Sequence, residues 1–186
     1  MIARLISTGV VALCLAGPAT AADWTVIADQ SRLGFTATQQ GNAFNGAFTR
    51  FDARIRFDPA ALDTAEVAVD IDAASIATGN DQWNQFAVAP DWFHVASFPQ
   101  ARFQTTAIRH LGADRYEADA QLTIRDKTVG VTLPFTLTIT GDRAAVQGQV
   151  TIDRLDFDVG ANWASESLVG LNVTVTVDLV AQRAAP

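Results

Sequence analysis

Two histidines, one cysteine and 20 acidic residues are the side chains through which this sequence could do acid–base, metal or nucleophilic chemistry. His94 and His110 lie far apart in the chain, and neither has a second ligand at metal-binding spacing. His94 follows Phe93 in an irregular stretch and His110 sits near a turn, so both read as surface or capping residues. Asp70 and Asp72 could share a proton between them. Their spacing in an alternating segment instead puts both on one outward strand face, where they are solvated. No G-x-S-x-G elbow and no Gly-rich phosphate loop is present. Neither an enzyme nor a resident cofactor or metal is expected. Arg154 is the polar residue to watch. The parity of Val150 and Ile152 points it inward, where a guanidinium needs partners. It could meet an anionic ligand group at the mouth of an interior. The favoured alternative is a structural contact, with Asp156 or a loop carbonyl.

What positions these residues is a series of segments in which apolar and polar residues alternate. In Leu171 to Leu179 every odd position is aliphatic and every even one is Asn, Thr or Asp. On a pleated strand this puts one face in an apolar interior and the other in water. Trp24 to Ala28, Arg32 to Gln39, Phe48 to Phe57, Glu66 to Asp72 and Ala101 to Ala107 read similarly. So do the faces Tyr116 to Ile124, Val129 to Ile139 and Val146 to Ile152. Turns are expected at Gln40-Gly41-Asn42, around Gly112-Ala113-Asp114 and at Gly141-Asp142. From Ser75 to Pro99 the period changes, and one or two short helices are expected across one end of the sheet.

Eight or nine antiparallel strands with one greasy face must close on themselves. The expected fold is all-β, a single extended eight-stranded antiparallel barrel. Such a barrel is either filled by its own side chains or holds one small ligand. Small inward residues at Ala37, Ala53, Ala118, Ala120 and Gly148 favour a cavity over interdigitation with Phe35, Phe51 and Phe135.

Composition places the barrel. Residues 1–21 read as a cleaved export signal: a short basic start, an apolar run from Leu5 to Leu15, and Ala19-Thr20-Ala21 before the cut. The barrel domain is then residues 22–186, exported to the periplasm. Cys14 lies inside the signal, and Leu13 before it argues against lipidation, so the mature chain lacks thiols. A formal charge of −7, with Lys127 the one lysine, argues against nucleic acid and anionic lipid surfaces. Eleven Phe and 4 Trp against 1 Tyr supply apolar area with few hydroxyls to satisfy.

Several segments together resemble one family. Trp24-x-Val26 with Asp29-x-Ser31-x-Leu33-x-Phe35 is similar to the opening of the YceI-like, polyisoprenoid-binding proteins of the bacterial periplasm. So are Phe48-x-x-Phe51-Asp52-Ala53-x-Ile55-x-Phe57-Asp58, Ile71-Asp72-Ala73-Ala74-Ser75-Ile76-x-Thr78-Gly79-Asn80 and Trp92-Phe93-x-Val95-x-x-Phe98-Pro99. Leu122-Thr123-Ile124-Arg125, Val131-Thr132-Leu133-Pro134-Phe135 and Arg154-x-Asp156-Phe157 continue the series in the family's order. The resemblance implies a lipocalin-like barrel with an elongated apolar tunnel for polyprenyl chains, isoprenoid quinones or other long amphipathic lipids.

On that reading the strand residues Phe35, Ala37, Phe51, Ile71, Phe103, Leu122 and Phe135 line the tunnel. Trp83, Phe86, Trp92, Phe93, Phe157 and Trp163 join them from the connecting segments, and Arg154 is the candidate headgroup contact. Gln82 to Ala89 is more apolar than the charged helix that family members tend to carry there. It is expected to form a lid or tunnel mouth, a partner surface, or simply a helix packed on the barrel end. The favoured function is a periplasmic, non-enzymatic binder or carrier of an isoprenoid or quinone, without stable membrane insertion and with a homodimer left open. The alternatives are a structural or stress-related partner with a filled core and, less favoured, an outer-membrane barrel.

Overall fold

The computed structural model describes residues 21–185. Cys14 and all of the export segment except Ala21 lie outside the described residues. Among those described, the chain forms β1 (Ala22–Val26), β2 (Arg32–Gln39), β3 (Asn42–Phe48), β4 (Phe51–Phe57), β5 (Glu66–Asp72) and β6 (Ile76–Ala77). Helix α1 (Asp81–Val88) follows. The remaining strands are β7 (Gln100–Gly112), β8 (Arg115–Ile124), β9 (Lys127–Thr140), β10 (Arg143–Asp153) and β11 (Asn172–Arg183). Three pairs are halves of interrupted strands: β1 with β2, β3 with β4, and β5 with β6. Eight staves therefore run round the molecule, each antiparallel to the next. β11 closes the ring by pairing with both halves of the first stave, Arg183 opposite Trp24 and Thr174 opposite Thr36. This is the expected lipocalin-like barrel.

Alternation dictates the staves, and short turns join them. Gln40 and Gly41 both have positive φ (49° and 78°), which suits a two-residue hairpin whose twist matches its strands. The breaks are stapled by serines. Where the 3₁₀ turn Ala28–Gln30 lifts the first stave, Ser31 Oγ donates to the Ile27 carbonyl at 2.8 Å and accepts from the Val180 amide at 3.0 Å. At the turn Ala73–Ser75, the buried Ser75 Oγ donates to the Asp72 carbonyl at 2.7 Å and accepts from the Arg50 amide at 3.1 Å. One hydroxyl at each break replaces the missing ladder partners.

Several sequence boundaries move. β3 is a strand where only a turn at Gln40-Gly41-Asn42 was expected, because Asn42-Ala43-Phe44-Asn45-Gly46 alternates only weakly, and the strand expected from Phe48 to Phe57 is broken at Thr49 and Arg50. Its Gly46 is required by packing: a Cβ there would stand 2.2 Å from Cζ of Phe35. β7 runs on to Gly112 and carries His110 inside the strand, and β11 runs to Arg183.

The outer face is a charge ladder. Arg50 donates to Asp72 through Nε and Nη2 at 3.0 and 2.8 Å. Arg54 reaches Asp70 at 3.0 Å, and Arg102 approaches it at 3.7 Å. Asp70 and Asp72 are thus paired, not merely solvated. The Arg50 guanidinium holds the Asp72 carboxyl below its ordinary value, aided by the Ala74 amide and opposed by partial burial. Further round, Arg109 clasps Glu117 and Asp119, and Thr132 donates to Asp119 at 2.9 Å. Charges outside and aliphatics inside are the reverse of a transmembrane barrel, which overturns the outer-membrane alternative.

The apolar interior is packed at both ends and open between them. At the end where Trp24 of β1 lies opposite Arg183 of β11, Trp24, Phe57, Ile108, Tyr116 and Leu137 pack together, with Trp24 Nε1 donating to the Phe57 carbonyl at 3.0 Å. At the other end Leu122, Phe157 and Val159 are buried, covered by Trp92 and Phe93.

Candidate ligand-binding cavity

Between these two packed ends lies a cavity of about 550 Å³, within the range of small-ligand sites, roughly 300–1,000 Å³. Its wall is built by parity. Phe35, Ala37, Phe51, Ile71, Phe103, Leu122 and Phe135 reach it from the staves. Trp83 and Phe86 reach it from α1, Trp92 and Phe93 from the turns after it, and Phe157, Arg154 and Trp163 from the segment before β11. The inward residues of β11 (Val173, Val175, Val177 and Leu179) stay only half-buried, because they face this space and not one another.

Sequence reasoning missed Phe44 and Phe48 as wall residues, since β3 was missed. The spacing Phe44-x-Gly46-x-Phe48 was the available signal. It also overcounted vacancies. Ala37 and Ala118 do border the cavity, but the space above Gly148 is filled: a Cβ there would stand 3.0 Å from Phe135 Cβ and 3.3 Å from Leu133 Cδ1.

Aromatic rings run in a string along one side. Trp83 meets Phe44 edge-on with centroids 4.9 Å apart. Phe44 contacts Phe35 at 6.2 Å, Phe35 contacts Phe48 at 5.8 Å, and Phe48 contacts Phe93 at 5.7 Å. The outer end of the string is the mouth, where Phe86 and Trp163 are about half exposed (55% and 45%) while still bordering the cavity.

Helix α1 holds this edge. The Asn80 side chain caps it by accepting from the amides of Gln82 and Trp83 at 3.0 and 3.2 Å, and Pro90 stops it from continuing. Trp83, Phe86 and Ala87 then share the face turned toward the cavity. The segment Gln82 to Ala89 is therefore mostly one short helix, packed on the barrel end through Trp83 and leaving Phe86 exposed at the cavity's edge.

Arg154, only 4% exposed, carries the sharpest polar geometry. Nε donates to the Gly170 carbonyl at 3.0 Å. Nη1 donates to Val159 and Gly160 at 2.8 Å each, and Nη2 to Trp163 at 2.6 Å and Val169 at 3.0 Å. A guanidinium has five N–H donors, and all five are spent on backbone carbonyls. The favoured structural reading, a contact to loop carbonyls, is what the structure has, and the candidate headgroup contact gives way: Arg154 is the hub on which the loop from Val159 to Gly170 is folded. Burial pushes its pKa below the ordinary value, opposed by the Asp153 and Glu166 charges. Trp92 lies against the guanidinium with its ring centroid at 5.6 Å. Gly160 completes the hub with φ 66°; a Cβ there would stand 2.9 Å from both Arg154 Nη1 and the Trp92 ring.

The histidines stay apart from the cavity. His94 Nε2 is 3.0 Å from Ser97 Oγ, and His110 Nε2 is 2.9 Å from the Ala113 carbonyl. No group of three or more His, Cys, Asp or Glu side chains able to hold a metal occurs among the described residues.

A closed antiparallel barrel with an apolar chamber and an aromatic mouth is a lipocalin-like binding architecture. The chain belongs to the YceI-like domain family, whose model matches residues 24–181. A UPF0312 protein of Pseudomonas syringae pv. tomato is 26% identical over 176 residues, covering 88% of this chain and 90% of that one. Burkholderia cenocepacia BcnA superposes with a TM-score of 0.80 at 32% identity, over 83% of this chain and 98% of that one. A polyisoprenoid binding domain from Saccharophagus degradans superposes with a TM-score of 0.71 over 88% of this chain and 99% of that one. At 17% identity it bears on the fold alone.

Proposed function

We propose that this protein binds and carries an isoprenoid or comparable long-chain lipid, held in the barrel cavity and exchanged through the mouth at Phe86 and Trp163. The observation that carries this reading is the cavity wall. It is aliphatic and aromatic almost throughout, and it includes no His, Asp, Glu, Lys, Cys or Tyr. Each CH₂ moved into such a wall from water gains about 0.8 kcal/mol. An apolar chain therefore binds with few directed contacts. The one ionisable side chain on the wall, Arg154, is tied by all its N–H groups to loop carbonyls, and we read the role as carriage without turnover. The export signal read in residues 1–21 supports carriage in the periplasm, where a free polyprenyl chain needs shielding from water. The fold is shared with a polyisoprenoid binding domain of Saccharophagus degradans, so a barrel of this shape can hold such a chain.

Native mass spectrometry of protein isolated from its own periplasm, followed by lipid extraction, tests this. A defined adduct of isoprenoid mass is expected. Protein that is folded, exported and empty under all growth conditions would overturn it.

A further inference from the structure

The charge pattern of the cavity and its rim says which headgroup the ligand carries. This deepens the lipid-carrier reading and rests on it. Five lining residues have polar side chains: Gln39, Thr78, Gln82, Thr105 and Arg154. Arg154 has no donor left, as described above. Thr105 Oγ1 accepts from the Val67 amide at 2.9 Å and belongs to the ladder, and Thr78 Oγ1 donates to Asn84 Oδ1 at 2.8 Å within the capping network of α1. The carboxamides of Gln39 and Gln82 remain, and no side chain among the described residues engages them.

The segments framing the mouth agree. Across 39–42, 78–87 and 161–170 the charged residues are Asp81 and Glu166, with no Lys or Arg. The amides at the start of α1, where an anion could otherwise find donors, are occupied by Asn80 and sit beside Asp81. A phosphate entering here would lose hydration, find on Arg154 a cation whose N–H groups are already spent on carbonyls, and pass a rim whose charged residues are both acidic. An uncharged oxygen-bearing group would find two carboxamides that both donate and accept.

We infer that the cavity selects isoprenoids with an uncharged, hydrogen-bonding headgroup and discriminates against phosphorylated ones, with Gln39 and Gln82 as the headgroup contacts. Geranylgeraniol and geranylgeranyl monophosphate share a chain and differ only in the headgroup. Each is titrated against delipidated protein loaded with a neutral fluorescent naphthylamine, at low and high salt. The alcohol is expected to displace the probe at a concentration at least about tenfold lower, a difference of about 1.4 kcal/mol. The gap should narrow with salt as the two rim carboxylates are screened. Gln82→Lys, at an exposed position, should tighten the phosphate severalfold and weaken the alcohol, which loses one of its two carboxamide contacts.

Equal affinities, or a tighter phosphate, would overturn the headgroup assignment and leave the lipid reading standing. Failure of both ligands to displace the probe would overturn the lipid reading, and this inference with it.

Discussion

At the scale of single residues, Arg154 separates a structural role from a binding one. Lysine keeps the charge but offers three donors on a compact head, against five in a planar fork. Arg154→Lys therefore strands at least two of the five carbonyls, at roughly 1–3 kcal/mol for each buried group left unpaired. A loss of at least about 2 kcal/mol is expected, read as a lower urea midpoint at unchanged slope. A ligand-binding arginine would instead leave that midpoint in place and lose affinity. Asp72 answers differently to pH. Its folded pKa is lowered by Arg50, so its contribution is present above the unfolded carboxylate value of about 3.9 and is lost as pH falls through the folded value. Asp72 also caps the turn Ala73–Ser75 through the Ala74 amide at 2.8 Å. Asp72→Asn should keep the cap and flatten the acid limb of the stability curve below about pH 4. Asp72→Ala should cost a further amount of about 1 kcal/mol at neutral pH, measured by denaturant unfolding.

At the scale of elements, α1 divides its aromatics between anchoring and access. Trp83 packs edge-on against Phe44, and its removal leaves a hole at the end of the aromatic string. Phe86 is exposed and buries little. Phe86→Ala should hold unfolding stability within about 0.5 kcal/mol while speeding release of a preloaded lipid in stopped-flow transfer to vesicles. Unchanged release with normal folding would remove Phe86 from the mouth. The same helix marks where the sequence was readable. Staves such as β9 and β11 announce themselves, because strict alternation with Val and Thr leaves one register that buries the apolar face. The aromatic excursion was legible as irregular, and its wall residues were recognisable from ring type alone. The stapled breaks were not: Ser31 and Ser75 act by replacing backbone partners, and a hydroxyl carries no periodic signal. β3 was hidden for a related reason, its Gly46 being dictated by the Phe35 ring of the neighbouring strand and not by anything local. Arg154 was correctly turned inward by parity. Its saturation depends on where five loop carbonyls converge, which strand spacing does not encode.

At the scale of the whole molecule, the question is whether the barrel is held open or filled. Its packed clusters sit at the two ends, while the middle of β11 borders empty space. Stability therefore comes from the closed ladder and the end plugs, and the centre is left free for a ligand. Val175 tests this. It stands in register with Phe35 across the β2–β11 seam and with Val150 across β10, and its side chain borders the cavity. In a filled core, Val175→Phe would force neighbours off their rotamers and cost about 1–3 kcal/mol. In an open one, the ring enters vacant space and gains contact area. Delipidated Val175→Phe should thus unfold at an equal or higher temperature than the delipidated parent. The parent should gain stability with added lipid by mass action, about 2.7 kcal/mol at a hundred times Kd. The variant should gain less, since part of the ligand's volume is already taken. A lowered melting temperature, with lipid stabilisation intact, would place Val175 in a packed core and move the ligand elsewhere.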